Sequence, residues 1–352
     1  MDPDFFMPLI WGVLIATAVF MYVLLDGFDL GLGILFKSLP TDKDRNTAMN
    51  SIAPFWDGNE TWLVLGGGGL FAAFPLAYSI VMPALYMPVL IMLLALIFRG
   101  VAFEFRFKAG PRSRPLWDNA FAYGSLSAAF AQGLILGAFV QGIAVEGKAF
   151  AGGAMDWLTP FTVTTGIAVV CGYTLLGLGW LIIKTEDLLQ GWAYEKAPHF
   201  LLSVLFFMAL ISAWMPILHS DIRFFGVGFD ACMNTQIIER WFSTPNIYYL
   251  GWIPVIVAAT GLLHFHALRR RMTYTPFLST VVLFALGYLG LAVSLWPNIV
   301  PPGLTLWQTA AATPSLSLMF VGVVILLPVI LGYTVYIYWV FRGKVHHEAG
   351  YH

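Results

Sequence analysis

Long runs of apolar residues, separated by short polar segments, extend along almost the whole chain of 352 residues. About 20 such residues in a helix are enough to cross a lipid bilayer. Residues 272–341 contain no Asp, Glu, Lys or Arg, and the prolines between Trp296 and Gly303 divide this stretch into two helices. With the six runs before it, the pattern predicts about eight transmembrane helices. Those six are Met7–Leu25, Tyr78–Phe98, Ala120–Gly142, Trp157–Ile183, Phe200–Leu218 and Ile247–Leu263.

The composition also indicates a polytopic membrane protein with an all-α fold. Hydrophobic residues make up 59% of the chain, charged residues only 11%, and the mean hydropathy is +0.79. The apolar runs recur down the whole sequence, which excludes a signal peptide followed by a soluble domain. We predict one membrane domain, residues 1–352, with two four-helix halves, residues 1–190 and 191–352. The net charge of -1 gives no reason to expect a nucleic-acid partner.

Basic residues predict the orientation of the helices, because cytoplasmic loops are rich in Lys and Arg. With eight spans, 12 of the 18 Lys and Arg residues fall on one side of the membrane. The other side holds Lys37, Lys43, Arg45, Lys148, Arg223 and Arg240. This distribution predicts that both termini are cytoplasmic.

The segment from Asn50 to Ala77 is too rich in Gly and Pro for one continuous helix, and too apolar for an ordinary solvated loop. Gly66 to Gly69 are four consecutive glycines, whose backbone entropy disfavours a regular helix. We expect a short helix that lies at or dips into the membrane and breaks before the second span. The backbone N–H and C=O groups of a non-helical segment at that depth must form hydrogen bonds with protein or with water in a cavity. The segment is therefore predicted to be a contact surface.

Acidic residues in or beside a membrane span are costly, so each is a candidate for function. Asp26 and Asp29 are three residues apart, on one helix face near the outer end of the first span. They fit either an interfacial polar collar, with glycines for close helix packing, or a functional pair. Asp57 and Glu60 show the same spacing between tryptophans. They fit either a pair that accepts and conducts protons or acids that cap the helix that follows.

The remaining charged and metal-binding residue types give weaker signals. Glu104 stands among Arg99, Arg106 and Lys108, and is predicted to be a salt-bridged anchor, with a role in proton entry as the alternative. His264 and His266 are two residues apart and point to different helix faces, so they do not form a metal-binding pair.

No Gly-rich phosphate loop and no pair of cysteines two residues apart is present in the sequence. We predict no metal site in this chain, and no pattern locates a cofactor.

Several long strings of residues resemble subunit II of the cytochrome bd-type quinol oxidases. The strings are Leu24–Gly33 (LLDGFDLGLG), Phe55–Val64 (FWDGNETWLV) and Arg99–Arg106 (RGVAFEFR), with further matches in Asn50–Pro54, Gly66–Pro75 and Leu295–Thr313. The likeness extends over nearly the whole chain. The chain is short for this family and in its length looks more like the cyanide-insensitive branch. The haem type of the partner is therefore left open.

The resemblance implies a haem-free subunit in a bacterial inner membrane. Its partner, subunit I, would carry the haems, two b-type and one d-type or b-type only, and would oxidise ubiquinol or menaquinol. The complex would reduce dioxygen to water with cytoplasmic protons and so contribute to the proton-motive force. Some members also hold a structural quinone in subunit II or bind small single-span subunits. By the same resemblance Asp57 matches a carboxylate that helps pass protons toward the haems, and Asp29 and Glu60 are further candidates.

Two other classes of protein compete with this interpretation. Gly and Pro interruptions beside acidic residues are also typical of the discontinuous helices of secondary transporters. A purely structural scaffold is the third alternative, in which the carboxylates play no part in turnover.

Overall fold

Helices account for nearly all regular structure in the computed structural model, which describes residues 2–217 and 231–345. The described helices are α1 (Pro3–Leu35), α2 (Asp42–Ile52), α3 (Trp56–Ala73), α4 (Pro75–Ala84), α5 (Tyr86–Lys108), α6 (Arg114–Gln141), α7 (Pro160–Lys184), α8 (Asp187–Trp214), α9 (Ala231–Phe242), α10 (Asn246–Leu250), α11 (Trp252–Arg269), α12 (Thr275–Leu295), α13 (Leu306–Thr309) and α14 (Thr313–Val340). Two short antiparallel hairpins pair β1 (Val145–Glu146) with β2 (Ala149–Phe150), and β3 (Asn298–Val300) with β4 (Leu304–Thr305).

Eight described helical segments are long and apolar enough to cross a membrane, so the predicted all-α fold with about eight spans is confirmed. They are α1, α5, α6, α7, α8, the segment Asn246–Arg269 that joins α10 to α11, α12 and α14. Local signals set their ends: Thr159 and Thr162 form a capping box at the start of α7, and Pro160 follows at its first position.

The helices form a bundle with two distinct ends. At the first, which we call the basic end, Arg106 of α5 donates to Asn46 of α2 over 2.7 Å, and Trp180 of α7 donates to Ser51 of α2 over 3.3 Å. At the opposite end, the hairpin end, the Thr159 hydroxyl donates to Gln141 over 2.9 Å. The backbone N–H of Ile143 joins the two hairpins there through a 2.8 Å bond to the Pro301 carbonyl.

Helix α3 runs from the basic end to the hairpin end, where α4 packs against β2 and β3. Asn59, in the first turn of α3, bonds Asp29 near the basic end of α1, whereas the Ala73 carbonyl accepts from the N–H of Ala311 at the hairpin end. This passage of α3 adds a ninth traverse to the eight single spans. Helix α3 continues through Gly66–Gly69, where glycine was expected to disfavour a regular helix, and the predicted break before the second span falls at Phe74.

The ninth traverse changes the predicted topology. The chain begins at the hairpin end, where Thr313 donates to Asp4, and α14 finishes at the basic end, where Lys184 donates to the Phe341 carbonyl. The first and last described residues therefore lie toward opposite ends of the bundle, an arrangement that disagrees with the prediction that both termini are cytoplasmic.

The Lys and Arg residues are concentrated at one end of the bundle more strongly in the structure than the count by predicted loop indicated. Lys37, Lys43 and Arg45, predicted to lie opposite the Arg99–Arg114 cluster, are on the same side as it, because Arg45 contacts Asp118 of α6 at 3.9 Å. Of the Lys and Arg residues within the described ranges, all but Lys148 and Arg240 lie in the half toward the basic end. Arg223 lies outside the described residues.

Two helices, α1 and α7, cross at very close range in the core. Gly31 faces Gly177, and a Cβ atom built on Gly31 would stand 1.9 Å from the Tyr173 carbonyl oxygen. Phe28 stacks on Trp180 beside this crossing, with ring centroids 4.2 Å apart. The proposed boundary at residue 190 falls in the first turn of α8, and core residues come from both sides of it. The division into two four-helix halves stays a prediction.

Candidate functional site

Asp26 and Asp29 lie on one face of α1 and are both fully buried. The sequence placed them near the outer end of the first span, as either an interfacial collar or a functional pair, but α1 continues beyond both residues to Leu35. Gly27 and Gly31 on the same helix allow α7 to approach, which helps to exclude solvent. Two carboxyl groups inside a helical bundle need partners of opposite charge or hydrogen bonds.

Arg99 of α5 supplies the opposite charge, and its side chain is also fully buried. Its Nη2 lies 3.0 Å from Asp26 Oδ1 and 3.8 Å from Asp29 Oδ2. Its Nη1 lies 3.4 Å from Glu60 Oε2 of α3, and the guanidinium sits 5.3 Å from the ring centroid of Trp56. One cation thus joins three carboxyl groups from two helices, a set that we call the carboxylate cluster.

Asn59 connects the carboxylate cluster to one further helix, α14. Its amide nitrogen donates to Asp29 Oδ2 over 2.8 Å and to the Leu25 carbonyl over 3.2 Å. Its amide oxygen accepts a 2.9 Å bond from the Tyr338 hydroxyl of α14. Asn59 is buried, so these bonds satisfy both ends of its side chain and fix α1, α3 and α14 around the acids.

Glu60 and Asp57 occupy different positions although both belong to the start of α3. The Glu60 side chain is 28% exposed and opens into a groove between α3 and α5. Asp57, one helical turn earlier, is exposed on the surface and lies outside the carboxylate cluster. The structure therefore brings together two of the three predicted proton-path residues, Asp29 and Glu60, and leaves Asp57 on the surface outside the cluster. The groove is lined by Glu60, Leu63, Val64, Leu93, Leu96, Ile97, Gly100 and Val101.

The predicted pairing of Glu104 with its basic neighbours is wrong. Glu104 is exposed and forms no ion pair with any residue that the structure describes. Arg106 turns instead to Asp118 of α6 and to Asn46, while Arg99 turns to the carboxylate cluster. Neighbouring charges in a helix point to different faces, so closeness in sequence misled the assignment.

A chain of hydrogen bonds lies one helical turn from Asp26, toward the middle of the bundle. Gln132 of α6 donates to the Tyr22 hydroxyl over 2.7 Å and accepts from the Tyr173 hydroxyl over 2.6 Å. No sequence pattern marks these hydrogen bonds, because uncharged polar residues are common in membrane helices. The two bonds connect α1, α6 and α7 next to the acids.

The histidines of the described ranges do not converge on one site. His264 is buried, and its Nδ1 lies 2.8 Å from the Ser279 hydroxyl. No group of three His, Cys, Asp or Glu side chains suited to a metal ion is found among residues 2–217 and 231–345. His219, at the end of α8's predicted span, lies outside these ranges.

The carboxylate cluster has the composition of a proton-handling site. Three carboxyl groups face a single guanidinium, so the cluster can bind a proton and still keep its ion pair. The buried location makes each charge interact strongly with the others. Glu60 is its only member among the described residues that is not fully buried.

Comparison with known proteins gives the family. The family described as cytochrome bd terminal oxidase subunit II matches residues 7–341. The chain is 27% identical to cytochrome bd-I ubiquinol oxidase subunit 2 of Escherichia coli K12, with 96% of this chain and 95% of that protein covered. It is 28% identical to cytochrome bd ubiquinol oxidase subunit 2 of Bacillus subtilis, with 96% and 97% covered.

A solved structure shares the fold. The bd oxidase from Geobacillus thermodenitrificans contains a chain that superposes with a TM-score of 0.72, covering 96% of this chain and 99% of that one, at 16% sequence identity. The family match includes α1, α3 and α5, which carry the whole carboxylate cluster. The chain therefore belongs to the family of subunit II of the cytochrome bd-type quinol oxidases.

Proposed function

We propose that this chain supports a haem-bearing subunit I and delivers protons to it through the carboxylate cluster. The observation that carries the proposal is the position of Glu60, which joins the buried acids to a surface groove between α3 and α5. The basic end would face the cytoplasm of the bacterium, because Lys and Arg concentrate there. Protons would then enter from the cytoplasm and leave toward the partner.

The face that would receive subunit I is formed by α14, α3 and α5. On α3 the exposed side is a stripe of Asp57, Thr61, Val64, Gly68 and Phe71, spaced three or four residues apart. Gly67 and Gly68 have no neighbouring atom within 4 Å of a built Cβ, so another helix could approach their backbone closely. The flanking helices expose large apolar side chains, among them Leu94, Ile97 and Phe98 on α5 and Val321, Ile325 and Val329 on α14.

The oxidase reaction defines what this chain must provide. Relatives are named ubiquinol oxidase subunits, and reduction of one dioxygen to two waters consumes four electrons and four protons. Quinol supplies the electrons, and the haems of the partner would carry them. The residues of this chain would hold and pass protons: Asp29, beside the Arg99–Asp26 pair, would hold a proton, and Glu60 and Asp57 would pass it to the face that receives the partner. A structural quinone and small single-span subunits remain expectations without an assigned site here.

Substitution of Glu60 by Gln tests the relay in the complete complex. Gln keeps the shape but cannot carry a proton, so oxygen consumption should fall by about tenfold or more, in the range lost when a positioned proton-transfer group is removed. Asp57→Asn should slow turnover in the same direction. Glu195→Gln is the matched control, because Glu195 is an exposed acid of α8 far from the groove.

Two measurements on these variants, the amount of assembled haem-bearing complex and the rate of respiration, separate a proton relay from a purely structural role. The haem spectrum and the yield of assembled complex should stay unchanged in all three variants, because none removes an apolar contact. If Glu60→Gln and Asp57→Asn respire at the normal rate with intact haems, the chain is a structural partner only. The transporter alternative is not favoured, because the family match covers the very segments that suggested it, α3 and α4.

A further inference from the structure

Three consecutive arginines, Arg269, Arg270 and Arg271, end α11 at the basic end, and all three are exposed. Arg271 has a φ angle of 51°, in the left-handed region that L-residues rarely adopt. The N–H of Arg271 donates to the Leu268 carbonyl and that of Met272 to the Ala267 carbonyl, the two bonds of a Schellman cap. Glycine is the usual residue at this position, so an arginine there costs backbone energy that the fold itself does not require.

The positive charge of this turn is not neutralised within the described part of the chain. No salt bridge involves Arg269, Arg270 or Arg271 there, and two acids of α8 and its N-cap, Glu195 and Glu186, are paired with Lys196 and Lys344 instead. Arg269 lies 4.5 Å from the ring centroid of Phe265, and Arg271 lies 5.7 Å from that of Tyr194. The aromatic rings hold two guanidinium groups without cancelling their charge.

Exposed apolar side chains, which we call the apolar wall, begin next to the arginines on the side toward the middle of the bundle. Leu262 and Leu263 of α11 are 72% and 51% exposed, about two turns before the turn. Leu278 of α12 and Leu202 of α8 are 58% and 62% exposed on the neighbouring helices. Tyr274, 63% exposed, stands at the level where aromatic side chains mark a membrane interface.

We infer that this turn and the wall below it bind an anionic phospholipid. The headgroup phosphate would contact the three arginines, and the acyl chains would lie along the exposed leucines. A soluble anion would use the arginines alone and would have no need of the wall. Subunit I would not cover this surface, because α11 packs against α8 and α12 rather than against α3 or α5.

Lipid retention by the complete two-subunit complex tests this inference. The delipidated complex is mixed in detergent micelles with equal amounts of phosphatidylglycerol and phosphatidylcholine, and bound lipids are counted by native mass spectrometry. Each arginine removed should lower the preference for phosphatidylglycerol by about fivefold. Arg271→Gly should lower the preference for phosphatidylglycerol by about fivefold, and the triple change R269Q/R270Q/R271Q should abolish the preference. Arg112→Gln, an exposed arginine of the α5–α6 loop, should change nothing.

Arg271→Gly separates lipid binding from folding, because glycine relieves the left-handed backbone. Its melting temperature should be equal to or above that of the parent complex, so a lost preference cannot come from unfolding. Addition of inorganic phosphate should displace no more lipid than sodium chloride of the same ionic strength. An unchanged preference in the triple variant, or displacement by phosphate beyond the salt effect, would overturn the inference.

Discussion

At the residue scale, Arg99 decides the electrostatics of the bundle. Its side chain is completely buried, and three carboxyl groups lie within 4 Å of its nitrogens. A buried ion pair is a weak source of net stability, but removal of one member leaves the other without compensation. The effect of a change at Arg99 should therefore exceed that of any exposed arginine.

We expect Arg99→Met to destabilise the protein by about 3–5 kcal/mol, the range for breaking a buried ion pair. The thermal unfolding of the purified complex in detergent would measure this loss. Arg112→Met, which removes an exposed arginine, is the control and should leave the melting temperature within error. Adding Asp26→Leu to Arg99→Met should restore part of the loss, because both members of the closest pair are then gone. A melting temperature that Arg99→Met does not lower would contradict the structural role given to the pair.

The acids of the site could be predicted from sequence, but their common partner could not. A spacing of three residues places Asp26 and Asp29 on one face of any helix, and the cost of intramembrane charge marks them as significant. Arg99 is 73 residues away from Asp26, and it stands in a basic cluster that favoured a topological explanation. Only the packing of α1 against α5 and α3 reveals the ion pair.

At the element scale, α3 shows why a glycine run need not end a helix. Gly66 and Gly69 face α1, where Cβ atoms would come within 3.2 Å of Val19 and 3.1 Å of Ile15. The helix stops instead at Phe74, whose backbone (φ -132°, ψ 62°) is set by Pro75 after it. Glycine composition predicted a weak helix, whereas packing against α1 supplied the stability that propensity lacks.

The crossing of α1 and α7 gives an element-scale prediction. Gly31→Ala would place a methyl group 1.9 Å from the Tyr173 carbonyl oxygen, so the two helices must separate. We expect a loss of about 1–3 kcal/mol, the usual cost of overpacking a core. Gly191→Ala in α8 is the matched control, because no atom lies within 4 Å of its built Cβ. That change should raise stability by up to about 1 kcal/mol through helix propensity. Equal melting temperatures for the two variants would show that α1 and α7 do not touch as described.

At the scale of the whole molecule, one added passage reorganises the charge pattern. With α3 counted as a traverse, the basic loops that the eight-span count had divided between two sides lie at one end. Eight of the nine passages could be predicted from hydropathy, because each is a single long apolar segment. The ninth could not, because α3 carries Asp57, Glu60 and four consecutive glycines within 18 residues and does not have the composition of an apolar span. An odd number of crossings puts the two ends of a chain on opposite sides of the membrane, and an even number puts them on one side. One missed passage therefore changes the predicted side of one terminus, although nearly every helix was placed correctly.

The orientation of the termini is therefore a direct test of the nine-traverse arrangement. We expect an epitope at the N-terminus to be reached only from outside the cell, and one at the C-terminus only after the membrane is opened. A single cysteine at Gly147, in the first hairpin, should react with an impermeant reagent like the N-terminal epitope. One at Gly110, in the α5–α6 loop, should react like the C-terminal epitope. Labelling of both termini from the same side would mean that α3 does not cross, and it would separate Asn59 and Glu60 from Asp29 and Arg99. Because those contacts create the carboxylate cluster, the topology experiment also tests the site on which the proposed proton path depends.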